Sequence, residues 1–156
     1  MDATDLRILQ ILMKQGRMTW SELAAGLGLS PPAAAERVRR LEEQGVIRGY
    51  CAQIDPDRAG CPLAALIAVS LERPEHRQSF LDYVRETAEI QECHHTAGDD
   101  DYLLKVRCRD TRDLERIISE EIKSLPGIIR TRTTIILGTV KETPNIPLPA
   151  AGTSAS

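Results

Sequence analysis

Through the first third of the chain the apolar positions recur three and four apart. Beyond residue 45 they fall into alternating runs broken by turn residues. The first pattern predicts three helices. Asp2 to Gln15 carries Ile8, Leu9, Ile11 and Leu12 on one side, opens on Asp2 with Asp5 three residues on, and stops at Gly16. Trp20–Leu27 follows, with Thr19 or Ser21 at its start, Leu23, Ala24 and Leu27 facing inward, and Gly28 closing it. The third runs from about Pro31 to Gln44, begins at Ser30-Pro31 and ends on Gly45. At about 100° per residue, Ala34, Val38 and Leu41 share its inner face. Pro32, Ala33, Glu36, Arg39, Arg40 and Glu43 lie opposite, with Arg37 on a flank. Three short helices, tightly joined, the last exposing arginines, describe a helix-turn-helix unit.

The second pattern predicts strands. Val46–Ile54 reads as one, broken by Asp55-Pro56-Asp57, and Arg58 to Pro62 is the expected boundary between domains. Then come a strand at Leu63–Leu71, a helix from Pro74-Glu75 packing Phe80, Leu81 and Val84, and a strand at Ile90–Thr96. An acidic turn, Ala97 to Asp101, leads into a strand at Tyr102–Cys108. Asp110-Thr111 caps a helix with Leu114, Ile117, Ile118 and Ile122, closed by Pro126-Gly127, and Ile128–Leu137 is the last strand. The order strand-helix-strand-strand-helix-strand is the ferredoxin-like, ACT-like βαββαβ arrangement, so the fold class is α+β, behind a winged helix-turn-helix. Residues 63–71 are apolar on both faces, yet the chain has no spare element for the face that the helices leave bare. A second subunit is the expected cover. The expected domains are 1–50, a strand and linker at 51–62, 63–140, and a disordered tail at 141–156, rich in Pro, Ala, Ser and Thr.

Composition narrows the function. The 156 residues carry a net charge of −3, so bulk charge does not drive contact with nucleic acid. Residues 1–60 hold 8 basic and 8 acidic side chains, so any DNA contact rests on a local, salt-sensitive patch. Aromatics at 3% argue against a base-stacking platform. Cys51, Cys61, Cys93 and Cys108 include no CxxC pair and read as inert thiols of a reducing cytoplasm. No apolar run is long enough for a membrane helix, and the acidic start lacks a secretory signal's basic region.

Two blocks are recognisable together. Gly16 to Ala24, Gly28-Leu29-Ser30 and Arg37 to Tyr50 resemble the start of the Lrp/AsnC (leucine-responsive, feast/famine) family of transcriptional regulators. Gly98-Asp99-Asp100-Asp101-Tyr102 is similar to that family's Gly-x-x-Asp-Tyr turn, and the resemblance covers about residues 2 to 140. It implies a regulator that binds double-stranded DNA, a homodimer that assembles further into an octamer, and a small-molecule effector, an amino acid, held between subunits. The residues expected at DNA are Arg17, Ser30, Glu36, Arg37, Arg39, Arg40 and Arg48. Those expected at the effector are Gly98, Asp99, Asp100, Asp101 and Tyr102, with Thr131 and Thr133 from the last strand. Asp101, before Tyr102, is the choice for the effector's ammonium group, and turn amides can meet its carboxylate. Alanines stand after Ser30-Pro31 where relatives often have polar residues. Ala can touch a thymine methyl but cannot hydrogen-bond a base edge, which moves base reading onto Glu36 and the arginines.

Blander readings exist for each group. The arginines of the third helix could simply pair with Glu36 and Glu43, and an acidic turn is commonly solvated. His94 and His95 point to opposite faces of a strand, which argues against one shared metal. No nucleophile-base set or phosphate loop is visible, so neither an enzyme nor a cofactor is expected. Two alternatives stay open: an amino-acid-sensing module without DNA binding, and a subunit like those of sirohaem decarboxylases.

Overall fold

A computed structural model describes residues 1–149, which divide into two units: 1–53 with the chain's end from Lys141, and 54–140. In the first, α1 (Ala3–Lys14), α2 (Trp20–Leu27) and α3 (Pro31–Glu43) each begin at the predicted cap. Asp2 and Asp5 close a reciprocal capping box on α1, Thr19 and Glu22 do the same on α2, and Ser30 caps α3. Gly28 ends α2 in the left-handed region at φ 67°, where a side chain would be strained. The inner faces meet in a core of Ile8, Leu9, Leu23, Ala24, Ala34, Val38 and Leu41.

The predicted strand at Val46–Ile54 does not form. Gly45 turns the chain back at φ 70°, and the amides of Val46 and Ile47 both donate to the Leu41 carbonyl, at 2.9 and 3.1 Å. The backbone that should start a ladder thus finishes the helix instead. Residues 48–54 form neither helix nor strand and have no ladder partner among the described residues.

In the second unit, β1 (Leu63–Leu71), α4 (Arg77–Glu86), β2 (Ile90–His95), β3 (Tyr102–Cys108), α5 (Thr111–Arg116) and β4 (Ile128–Ile136) follow in the predicted order. After α5 the helical path widens at Ile117–Glu121 and tightens at Ile122–Ser124, so the one helix expected there is three short turns of different pitch. The sheet runs β2-β3-β1-β4, antiparallel throughout. Ala65, Ile67, Val69, Leu104 and Val106 lie on one face, with Phe80, Leu114, Ile117 and Ile122 from the helices over them. The other face presents Ala64, Leu66, Ala68 and Ser70 of β1, Leu103 beside Ala68, and Arg130 and Arg132 of β4. Ile67 is inaccessible to solvent, whereas Leu66 stays partly open.

The tail differs in part from expectation. Residues 141–149 have no helix or strand, but Leu148 packs against the core of the first unit. Residues 150–156, also expected to be disordered, lie outside the described residues.

Candidate functional site

The outward face of α3 separates into three kinds of arginine. Arg37, on the flank, reaches back to α1 and donates to Asp2 and Asp5, both at 2.8 Å. Asp5 is buried, so Arg37 is the cation that neutralises it and fastens α3 to the start of α1. It therefore serves the fold, whatever its expected place at DNA. Arg39 is exposed but clamped, with two hydrogen bonds to Glu36 (3.0 and 2.6 Å) and an ion pair to Glu43. Arg40 is exposed and makes no ion pair among the described residues, as do Arg17 and Arg48. Ser30 is exposed, and its hydroxyl accepts from the Ala33 amide at 3.4 Å. Trp20, at the first position of α2, is 49% exposed, and the sequence reading did not single it out. A large ring at a helix start, outside the apolar stripe, was the available signal.

The acidic turn between β2 and β3 is held by this chain's own groups. Asp100 is buried, accepts from the Ser70 hydroxyl at 2.9 Å, and is paired with Arg130 (3.0 Å) and Arg132 (2.7 Å) of β4. The Ser70 hydrogen bond first, and the two guanidinium groups after it, hold its carboxyl below the ordinary range. Asp101 accepts from the Leu71 amide at 2.7 Å through Oδ2, while its own amide donates to the Val69 carbonyl. It fastens the turn to the end of β1, which counts against its expected role as holder of an ammonium group. Asp99 is exposed, and its carboxylate has no hydrogen bond among the described residues.

A concavity of about 250 Å³ opens at this turn, lined by Ala68, Thr96, Gly98, Asp99, Asp100, Tyr102, Leu103 and Arg132. It brings together Gly98, Asp99, Asp100 and Tyr102 of the expected set. It does not include the two threonines. Thr131 pairs with Val69 and Thr133 with Ile67, so both stand on the helix-covered side, opposite Arg130 and Arg132. The arginines were legible as an alternating pair, two residues apart on one strand face, and the sequence reading passed over them.

The two histidines diverge as alternation requires. His94 meets Glu92 at 3.0 Å, and the His95 ring lies 5.0 Å from that of Tyr102.

Residues 64–146 match the Lrp/AsnC ligand binding domain, and residues 1–48 a winged helix-turn-helix DNA-binding domain. The leucine-responsive regulatory protein of Haemophilus influenzae is 39% identical over 92% of this chain and 87% of its own length. That of Escherichia coli K12 is 40% identical, over 91% and 88%. The chain belongs to the Lrp/AsnC family. It is a DNA-binding transcriptional regulator with an effector-responsive domain. Among solved structures, this Lrp/AsnC regulator is similar to the complex of a Neisseria meningitidis transcriptional regulator with L-Met. The TM-score is 0.90 at 31% identity, covering 94% of this chain and 96% of that one. It is also similar to Escherichia coli AsnC, with a TM-score of 0.81, 27% identity and coverage of 96% and 98%. Among the described residues no helix is long and apolar enough to cross a membrane.

Proposed function

We propose that the effector is an amino acid bound in the concavity on the open face of the sheet, and that it alters how a dimer or larger assembly presents α3 to DNA. The observation that carries this reading is the charge arrangement there. Arg132 lines the cavity beside the turn, and Asp99 offers a carboxylate without a hydrogen-bonding partner among the described residues. A guanidinium and turn amides suit an α-carboxylate, and a carboxylate suits an ammonium group. Ala68 and Leu103 supply an apolar wall for a side chain. The neighbouring structure with L-Met supports an amino acid as the class. Asp99 thus replaces Asp101 as the choice for the ammonium contact, and Asp101 acts by shaping the turn.

Assembly follows from the open face. Leu66, Leu103 and the small Ala64 and Ala68 form an apolar centre, and a second copy is the cover that suits it. The unpaired segment 48–54, with exposed Tyr50 and Ile54, offers further backbone for pairing between copies. The protein would work in the cytoplasm without catalysis or cofactor. Arg40 is assigned to base edges, Glu36 and Arg39 to a pair that opens on DNA, and Arg17, Ser30 and Arg48 to phosphates. Calorimetry with L-methionine and L-leucine on wild type and on Asp99→Ala and Asp101→Ala tests the site. The reading expects wild-type binding, loss in Asp99→Ala and a smaller loss in Asp101→Ala. Equal binding by wild type and Asp99→Ala removes Asp99, and no binding to wild type removes both amino acids as effectors.

A further inference from the structure

The DNA-binding head is a small unit with a thin core. Its helices have 12, 8 and 13 residues, and its seven fully or nearly buried apolar residues include no aromatic ring. Units of this size bury a small fraction of their surface, so each added apolar contact carries unusual weight. One such contact comes from far along the sequence. Leu148 is partly buried against the head's core, beside Ile11, Leu12, Met18, Leu27 and Ile47 as the other partly buried contributors.

The surrounding segment suits docking. Pro144, Pro147 and Pro149 restrict the free chain, which lowers the entropy lost when it is ordered. Thr143 accepts from the Asn145 amide at 3.1 Å and turns the chain just before the contact. The chain leaves the head after Gln53, builds the whole sheet unit over 54–140, and returns to the head at Lys141. Four residues, 137–140, lie between the end of β4 at Ile136 and Lys141.

We infer that residues 141–149 are a strap of the DNA-binding head, anchored on its core by Leu148. The strap adds an apolar contact to the head's core. This inference stands whether or not the effector site is correctly assigned, because it concerns only the head's own packing.

Hydrogen exchange by mass spectrometry tests it on the full chain without DNA or effector. Three proteins are compared: wild type, Leu148→Asp, which places a charge on the contact, and Leu148→Met, which keeps an apolar anchor. In Leu148→Asp, exchange in 3–14 and 20–43 should rise by about tenfold or more, as loss of a buried apolar contact implies. Exchange in 63–71 and 102–108 should stay at the wild-type rate, and Leu148→Met should behave as wild type throughout. Unchanged exchange in the head of Leu148→Asp would overturn the strap. So would equal acceleration in the sheet, because the effect would then not be that of an anchor on the head.

Discussion

Arg37 and Arg40 stand three residues apart on one helix and do different work. Arg37 neutralises a buried carboxylate, so Arg37→Ala should lower the melting temperature of the head, seen in the fluorescence of Trp20, the only tryptophan. The Arg40 side chain makes no hydrogen bond or ion pair among the described residues. Arg40→Ala should leave melting unchanged and weaken operator binding by about 1–3 kcal/mol if it reads a base through two hydrogen bonds. Wild-type affinity in that variant would remove it from the reading set. The acidic residues set a pH limit of their own. Hydrogen bonds from Arg109 lower the Asp113 carboxyl from an ordinary 3.8 to about 2. A lowered folded-state value means that the stabilisation is complete above about pH 4 and lost as pH falls towards 2. Asp100 shifts in the same direction, through Ser70 and then Arg130. Acid unfolding monitored by circular dichroism should therefore begin at higher pH in Asp113→Asn than in wild type if this carboxylate resists protonation as described. An unchanged acid limb would contradict that assignment.

At the scale of elements, what was legible in the sequence and what was not have separate physical causes. The three helices carried both their apolar period and their caps locally, and all three formed where those signals lay. The strands of the sheet were legible because alternation fixes the face of every residue once the register is set. Val46–Ile54 had the composition of a strand but lacked what composition cannot supply, a neighbouring edge, and Gly45 spent its first amides on α3. The acidic turn was legible as a motif, but the roles of Asp100 and Asp101 depend on Ser70, Leu71, Arg130 and Arg132, each 30 or more residues away along the chain. Thr131 and Thr133 lie away from the concavity for a simpler reason, since adjacent positions on β4 face opposite ways. One tight connection shows how strongly a local choice binds an element. Gly127 opens β4 at φ +78°, and a Cβ there would lie 2.3 Å from Cδ2 of His76. Gly127→Ala should cost about 1–3 kcal/mol through backbone strain and the displaced ring, measured by urea unfolding. A loss of only a few tenths would show that the ring moves freely aside.

At the scale of the whole molecule, the face that the sheet leaves open and the face that α3 presents must act together for an effector to change DNA binding. An amino acid can shift that equilibrium only by binding one arrangement of subunits better than another. Assembly is therefore part of the account. Light scattering should give a dimer or larger species, and Leu66→Lys on the open face should reduce its size while Ile67→Ala, in the core, instead lowers stability by about 2–5 kcal/mol. A folded wild-type monomer at micromolar concentration would contradict assembly through that face. The most direct test joins both ends of the molecule. Fluorescence anisotropy of a duplex from upstream of the protein's own gene is measured against wild-type concentration, with and without L-methionine or L-leucine. The account predicts saturable, salt-sensitive binding whose midpoint shifts with one of the amino acids, and no shift in Asp99→Ala. A midpoint that neither amino acid moves, in a wild-type protein that binds the duplex, would contradict it.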